Sequence, residues 1–215
     1  MSIRAGFCVS GHGSLFRAAV RRHAETGAEP ALLVLETKSA GDLEDFAAAN
    51  GVPSVRLDPR DRGAFDAELA RHLGEARLDL VVLTFDRILP PAIVAAFPQR
   101  IVNVHPSLLP AFAGNRGIER TLESGVRIGG ATIHEVVDAV DAGAVIAQAA
   151  LAIAPDDTPQ SYGARLYALL EPMFLQVLRW YAEGRVSRDG RGRLTVRGAR
   201  YDALPVVPAL EAFAP

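Results

Sequence analysis

"LDLVVLTFDRILPPAIVAAFPQRIVNVH", residues 78–105, reads as strand, short helix, strand. The run 78–85 is the strongest strand signal in the chain, almost continuously apolar rather than alternating. Pro90 and Pro91 open the helix "PAIVAAF", and Ile101 starts the next strand. Strands apolar on both faces and separated by helices belong to parallel sheets covered on both sides.

The same alternation extends toward the N-terminus. "IRAGFCVS" (3–10) is a short buried strand, and a helix follows from Leu15 to Thr26 with Leu15, Ala18, Ala19 and Arg22 at helical spacing. "PALLVLE" (30–36) is the second strand. Asp42 then serves as N-cap of "LEDFAAAN", which Gly51 closes. "VPSVRL" is a third, weaker strand and "RGAFDAELARHLGEA" an amphipathic helix. The period changes beyond Asn115. "IERTLES" is a short helix, and "GGATIHEVVDAVDAGAVIAQAALAIAP" reads as two antiparallel strands joined by "DAVDAG". A long helix from Pro159 to Gly184 is expected to be interrupted at Pro172, and the remainder to form a hairpin and an extended tail. The expected fold class is α/β: a doubly wound, mostly parallel sheet with a C-terminal antiparallel strand extension and a long helix. The expected division is a catalytic domain over 1–185 and a tail over 186–215.

Composition narrows the function. With 49% hydrophobic and 22% charged residues in 215, the chain has the profile of a soluble globular protein. A net charge of -2 gives no electrostatic footprint for nucleic acid or an anionic membrane. The single cysteine, Cys8, sits in an apolar run as a small buried hydrophobe, and no run of 18 apolar residues or signal-peptide layout is present. A cytoplasmic location is expected.

Three places carry candidate chemistry. "SGHGSLFRA" lies where strand meets helix, so Gly11, His12, Gly13 and Ser14 are candidates for anchoring a substrate on backbone N–H groups. The pattern is neither a dinucleotide fingerprint nor a Walker loop, and Glu36 ends the second strand without the glycines that would give it meaning. Asn103 and His105 are two apart on one strand, so they leave the same face at its carboxyl end, where open α/β sheets bind ligands. Pro106 and Pro110 stiffen the loop behind them, and Leu109-Pro110 is the bond expected to be cis. Asp138 and Asp141 form the third place, in a tight loop. An amide for an oxyanion, an imidazole for a proton and a carboxylate to hold the imidazole suit acyl transfer to an attacking amine. Neither Ser107 nor Cys8 is placed as a nucleophile beside His105, and no ligand spacing supports a metal on His105, His134 and Asp141.

"NVHPSLLPAFAG", then "GGATIHEV", then "DAVDAG" resemble the signature of the folate-dependent formyltransferase family over roughly residues 1–185. Members of that family act on glycinamide ribonucleotide, methionyl-tRNA or amino sugars. The resemblance implies transfer of a formyl group from 10-formyltetrahydrofolate; no metal is expected. It makes Asn103, His105 and Asp141 the catalytic trio. It places Arg87, Ile88 and Leu89, with Val137, Asp138, Ala139 and Val140, around the pterin. Departures from the ribonucleotide enzymes are Leu15 in place of an asparagine, and Tyr167 and Leu170 on the long helix where polar groups are expected. These point to a different small-molecule amine, with Tyr167 lining its site. The alternatives are the ribonucleotide enzyme itself and a 10-formyltetrahydrofolate hydrolase or folate-binding relative. A tRNA acceptor is not expected, because the tail after 185 is too short for an RNA-binding barrel. Small-molecule partners and a monomer or homodimer complete the reading.

Overall fold

A computed structural model describes residues 2–85 and 87–213. The chain separates into two compact units, 1–103 and 104–215, with the boundary inside one strand.

In the first unit the elements run β1 (Ile3–Val9), α1 (Ser14–Arg21), α2 (His23–Thr26), β2 (Ala28–Glu36), α3 (Leu43–Ala49), β3 (Ser54–Leu57), α4 (Arg62–Glu75), β4 (Leu80–Thr84) and α5 (Pro91–Ala96). They lead into β5 (Ile101–His105), whose first three residues pair with β4. All neighbours are parallel, in the order β5-β4-β1-β2-β3. Crossing the chain order in this way is the doubly wound arrangement, and it sends the carboxyl ends of β1 and β4 to the same edge. Ala5, Cys8, Leu33, Val34, Leu80 and Val81 are wholly buried, as expected of strands covered on both faces. Burial also pushes the Cys8 thiol far up, so it stays a neutral hydrophobe.

Two details differ from the sequence reading. The helix expected over 15–26 breaks at Arg22, which leaves the α region, and Gly27 closes the second piece at φ +70°. Asp42 occupies the N-cap of α3 without capping it; its carboxylate turns instead to Arg17 at 2.8 Å. A further cap, not expected from the sequence, is Asp61, which accepts from the Ala64 N–H at the start of α4.

In the second unit β5 leads to α6 (Gly117–Glu123), β6 (Ile128–Glu135), β7 (Val145–Ala152), α7 (Pro159–Ala182), β8 (Val186–Arg188), β9 (Leu194–Val196) and β10 (Val206–Val207). β6 and β7 are antiparallel, as the sequence indicates. α7 begins at a Thr158–Ser161 capping box and continues through Pro172, where the sequence leads one to expect an interruption. Its buried side, from Tyr162 to Trp180, holds it in place against a proline cost of about 3 kcal/mol. Residues 186–196 form the expected hairpin. The tail beyond it is more than extended chain, because Val206-Val207 adds an antiparallel edge strand to β7.

Candidate active site

β5 delivers His105 to its carboxyl end with only 5% of its surface exposed. Nε2 lies 3.1 Å from the Phe112 carbonyl oxygen, which can only accept, so that nitrogen carries a proton. Nδ1 faces Asp141 Oδ2 at 3.4 Å. Asp141 stands at φ +51°, a left-handed conformation that aspartate tolerates better than most residues. That turn aims its carboxylate inward. Oδ2 also accepts from the Gly114 N–H at 2.7 Å, and Oδ1 faces Nε2 of His134 at 3.6 Å. One carboxylate therefore stands between two buried histidines. Nδ1 of His134 lies 2.8 Å from the Glu135 carbonyl, which makes it the donor. Burial is the largest influence on His134 and holds its pKa below the ordinary 6.5, against the opposing pull of that carbonyl and of Asp141.

The loop after β5 is tied to β6 and β7 by a polar knot. The Thr132 hydroxyl donates to the Ser107 carbonyl at 2.7 Å and accepts from the Leu109 N–H at 3.0 Å. Gln148 Nε2 donates to both Thr132 Oγ1 and the Leu109 carbonyl at 3.0 Å. Within the loop, Ser107 Oγ donates to the Ala111 carbonyl, and Leu109-Pro110 is cis as expected. Gly130 lets β7 approach, since a Cβ there would lie 1.9 Å from the Ala149 carbonyl oxygen.

His105 and Asp141 are thus brought together, and Asn103 leaves β5 half-buried, two residues before His105 and so on its face. Asp138 is exposed, as are Val137, Ala139 and Val140, so only Asp141 of the two aspartates reaches the histidines. In the first unit, Gly11, His12 and Ser14 are exposed at the mouth of α1, and the half-exposed Gly13 occupies the N-cap of that helix at φ +67° against Leu43. Ile88 is 62% exposed while Leu89 is buried. Arg87 donates to the buried Glu36 carboxylate at 2.5 Å and covers the Phe65 ring at 4.8 Å, beside a cavity of about 440 Å³. Tyr167 is half-exposed on α7, but Leu15 and Leu170 are buried.

Sequence reasoning passed over Glu36 as a partner and Gln148, and it named Thr132 and His134 only within a motif and, for His134, as a rejected metal ligand. The last two were legible: i and i+2 of one strand share a face, as Asn103 and His105 do.

The formyl transferase family profile matches residues 3–178. The trifunctional purine biosynthetic protein adenosine-3 of Drosophila pseudoobscura pseudoobscura is 35% identical over 192 residues; the match covers 86% of this chain, which spans 14% of that protein. Phosphoribosylglycinamide formyltransferase of Bacillus subtilis is 32% identical over 79% of this chain and 90% of its own. The crystal structure of glycinamide ribonucleotide transformylase 1 from Symbiobacterium toebii superposes with a TM-score of 0.83 at 34% identity, covering 91% of this chain and 94% of that one. A matching profile over most of the length, near-complete alignment with relatives of similar size and a buried histidine–aspartate pair at a strand end lead to one assignment: the chain belongs to the folate-dependent formyltransferase family.

Proposed function

We propose that this enzyme transfers a formyl group from 10-formyltetrahydrofolate to the amine of glycinamide ribonucleotide. The observation that carries the acceptor is the near full-length likeness to relatives named for that substrate, at 32% and 34% identity. The sequence expectation of a different amine rested on Leu15, Tyr167 and Leu170. Leu15 and Leu170 are buried, so their apolar character belongs to the core and says nothing about an acceptor. The N–H groups of Gly11, Gly13 and Ser14, before an eight-residue helix, are suited to the ribonucleotide phosphate.

The folate, when bound, supplies the formyl group; the family resemblance points to Arg87, Ile88 and Leu89 in the first unit, and to the exposed residues 137–140 in the second, as its contacts. In this reading Asn103 donates its amide N–H to the formyl oxygen as negative charge develops there. His105 takes the proton that the attacking amine loses and hands it to the departing nitrogen. Asp141 keeps the imidazole oriented through Nδ1, while the Phe112 carbonyl fixes the other ring nitrogen. No covalent enzyme intermediate is needed.

Steady-state kinetics with 10-formyltetrahydrofolate test the reading, using the ribonucleotide, a panel of other amines, and no acceptor. The expected result is a kcat/KM for the ribonucleotide above about 10⁴ M⁻¹s⁻¹, the low end for an enzyme on its own substrate. A better rate with another amine overturns the acceptor, and folate release without any amine makes the enzyme a hydrolase.

A further inference from the structure

The family profile ends at residue 178, and the β8–β9 hairpin lies beyond it. One side chain of that hairpin reaches the end of β6, the strand that carries His134. Arg188 Nη2 donates to Oε2 of Glu135, whose side chain is only 6% exposed at the end of β6. The other guanidinium nitrogen donates to the Gly192 carbonyl at 3.0 Å, so the arginine is fixed to its own turn. Asp189 holds that turn through the N–H groups of Arg191 and Arg193. Among the described residues, the buried Tyr181 hydroxyl has no hydrogen-bond partner. Without Arg188 the Glu135 carboxylate would be a buried charge without a counterion.

Glu135 is also the neck of the loop that carries Asp141. Its N–H donates to the Ala144 carbonyl at 2.9 Å, closing the loop, and a Cβ on Gly143 would lie 1.7 Å from its carbonyl oxygen. That same oxygen receives Nδ1 of His134. The Glu135 side chain and backbone therefore connect the hairpin to both groups that face each other across 3.6 Å, His134 and Asp141.

We propose that Arg188 is a positioning residue: by holding Glu135 it fixes the neck of the catalytic loop, and with it the placement of Asp141 and His134 against His105. This rests on the reading of His105 and Asp141 as the proton-handling pair. A loop displaced by about 1 Å is enough to slow chemistry by one to two orders of magnitude.

The test uses the full chain with Arg188→Met, Arg188→Lys and the charge-neutral double variant Arg188→Met/Glu135→Gln, which removes the unpaired carboxylate should the single variant fail to fold. Two readouts are taken: kcat and KM for both substrates, and the imidazole ¹H–¹⁵N signals of His105 and His134 in the ligand-free protein at fixed pH. The expected result for Arg188→Met, or for the double variant, is about a tenfold lower kcat with KM within twofold, shifted His134 signals, and recovery of most of kcat in Arg188→Lys. A kcat within twofold of wild type, or unmoved imidazole signals, in whichever neutral variant folds overturns the proposal. Should the wild-type protein transfer no formyl group, the proposed function fails on that observation and the imidazole signals alone decide the role of Arg188.

Discussion

Asp141→Asn separates the chemistry of the site from its architecture. Asparagine tolerates the left-handed backbone at this position, so the φ of +51° adds little strain. One side-chain oxygen remains to accept the Gly114 N–H now held at 2.7 Å. A hydrogen bond to a charged group is worth about 1.5–3 kcal/mol and a neutral one about 0.5–1.5, so the fold loses about 1 kcal/mol. For a chain of this size that lowers Tm by about 2–4 °C. Catalysis loses far more. In the proposed mechanism the amide takes away the carboxylate that faces Nδ1 of His105 at 3.4 Å and orients the ring for proton transfer. A lost acid–base function costs about 10²- to 10⁴-fold. At about 1.4 kcal/mol per decade, the barrier rises by roughly 3–5 kcal/mol, several times the loss in stability. Thermal unfolding and a formyl-transfer assay on the same preparation measure both numbers. A folded variant with kcat within tenfold of wild type would refute the role given to Asp141.

Three further outcomes are expected. Thr132→Val keeps the shape but leaves the buried Leu109 N–H without its acceptor, so urea unfolding should show a loss of about 1–3 kcal/mol; an unchanged midpoint contradicts the knot. His134 has its folded pKa depressed below 6.5, so the unfolded chain binds the proton first: this contribution to stability is complete above about pH 6.5 and is lost as the pH falls below it. His134→Gln should therefore flatten the decline in stability between about pH 7.5 and 5, and an identical decline in both proteins speaks against it. Gly143→Ala forces a methyl group against the Glu135 carbonyl and should destabilise the fold by about 1–3 kcal/mol while lowering kcat; wild-type thermal unfolding would show that the loop neck yields freely.

Local signals carried most of the fold. Uninterrupted apolar runs marked β1, β2 and β4, and strand periodicity alone put Asn103 and His105 on one face of β5. What escaped depended on partners far away in sequence. Pro172 looks like a helix breaker until the buried side from Tyr162 to Trp180 is set beside it. Val206-Val207, between prolines, acquires strand identity only by pairing with β7. Leu15 and Leu170 read as facing an acceptor from their place in the resemblance, whereas both pack into the core. Spacing alone leaves Asp138 and Asp141 open; the resemblance selects Asp141, and the left-handed turn there accompanies a carboxylate that faces both histidines.

The edge strand formed by Val206-Val207 has a consequence during synthesis. β7, "VIAQAALA", is uncharged, free of proline and apolar, the composition of a segment that pairs readily with foreign strands. On the ribosome the part of its outer edge at residues 148–150 stands uncovered while α7 and the hairpin are being made, and is paired only after residues 205–207 have emerged. A translational stall between Ala152 and Val206 leaves that stretch open, so nascent-chain aggregation of this protein should concentrate in products that stop short of β10.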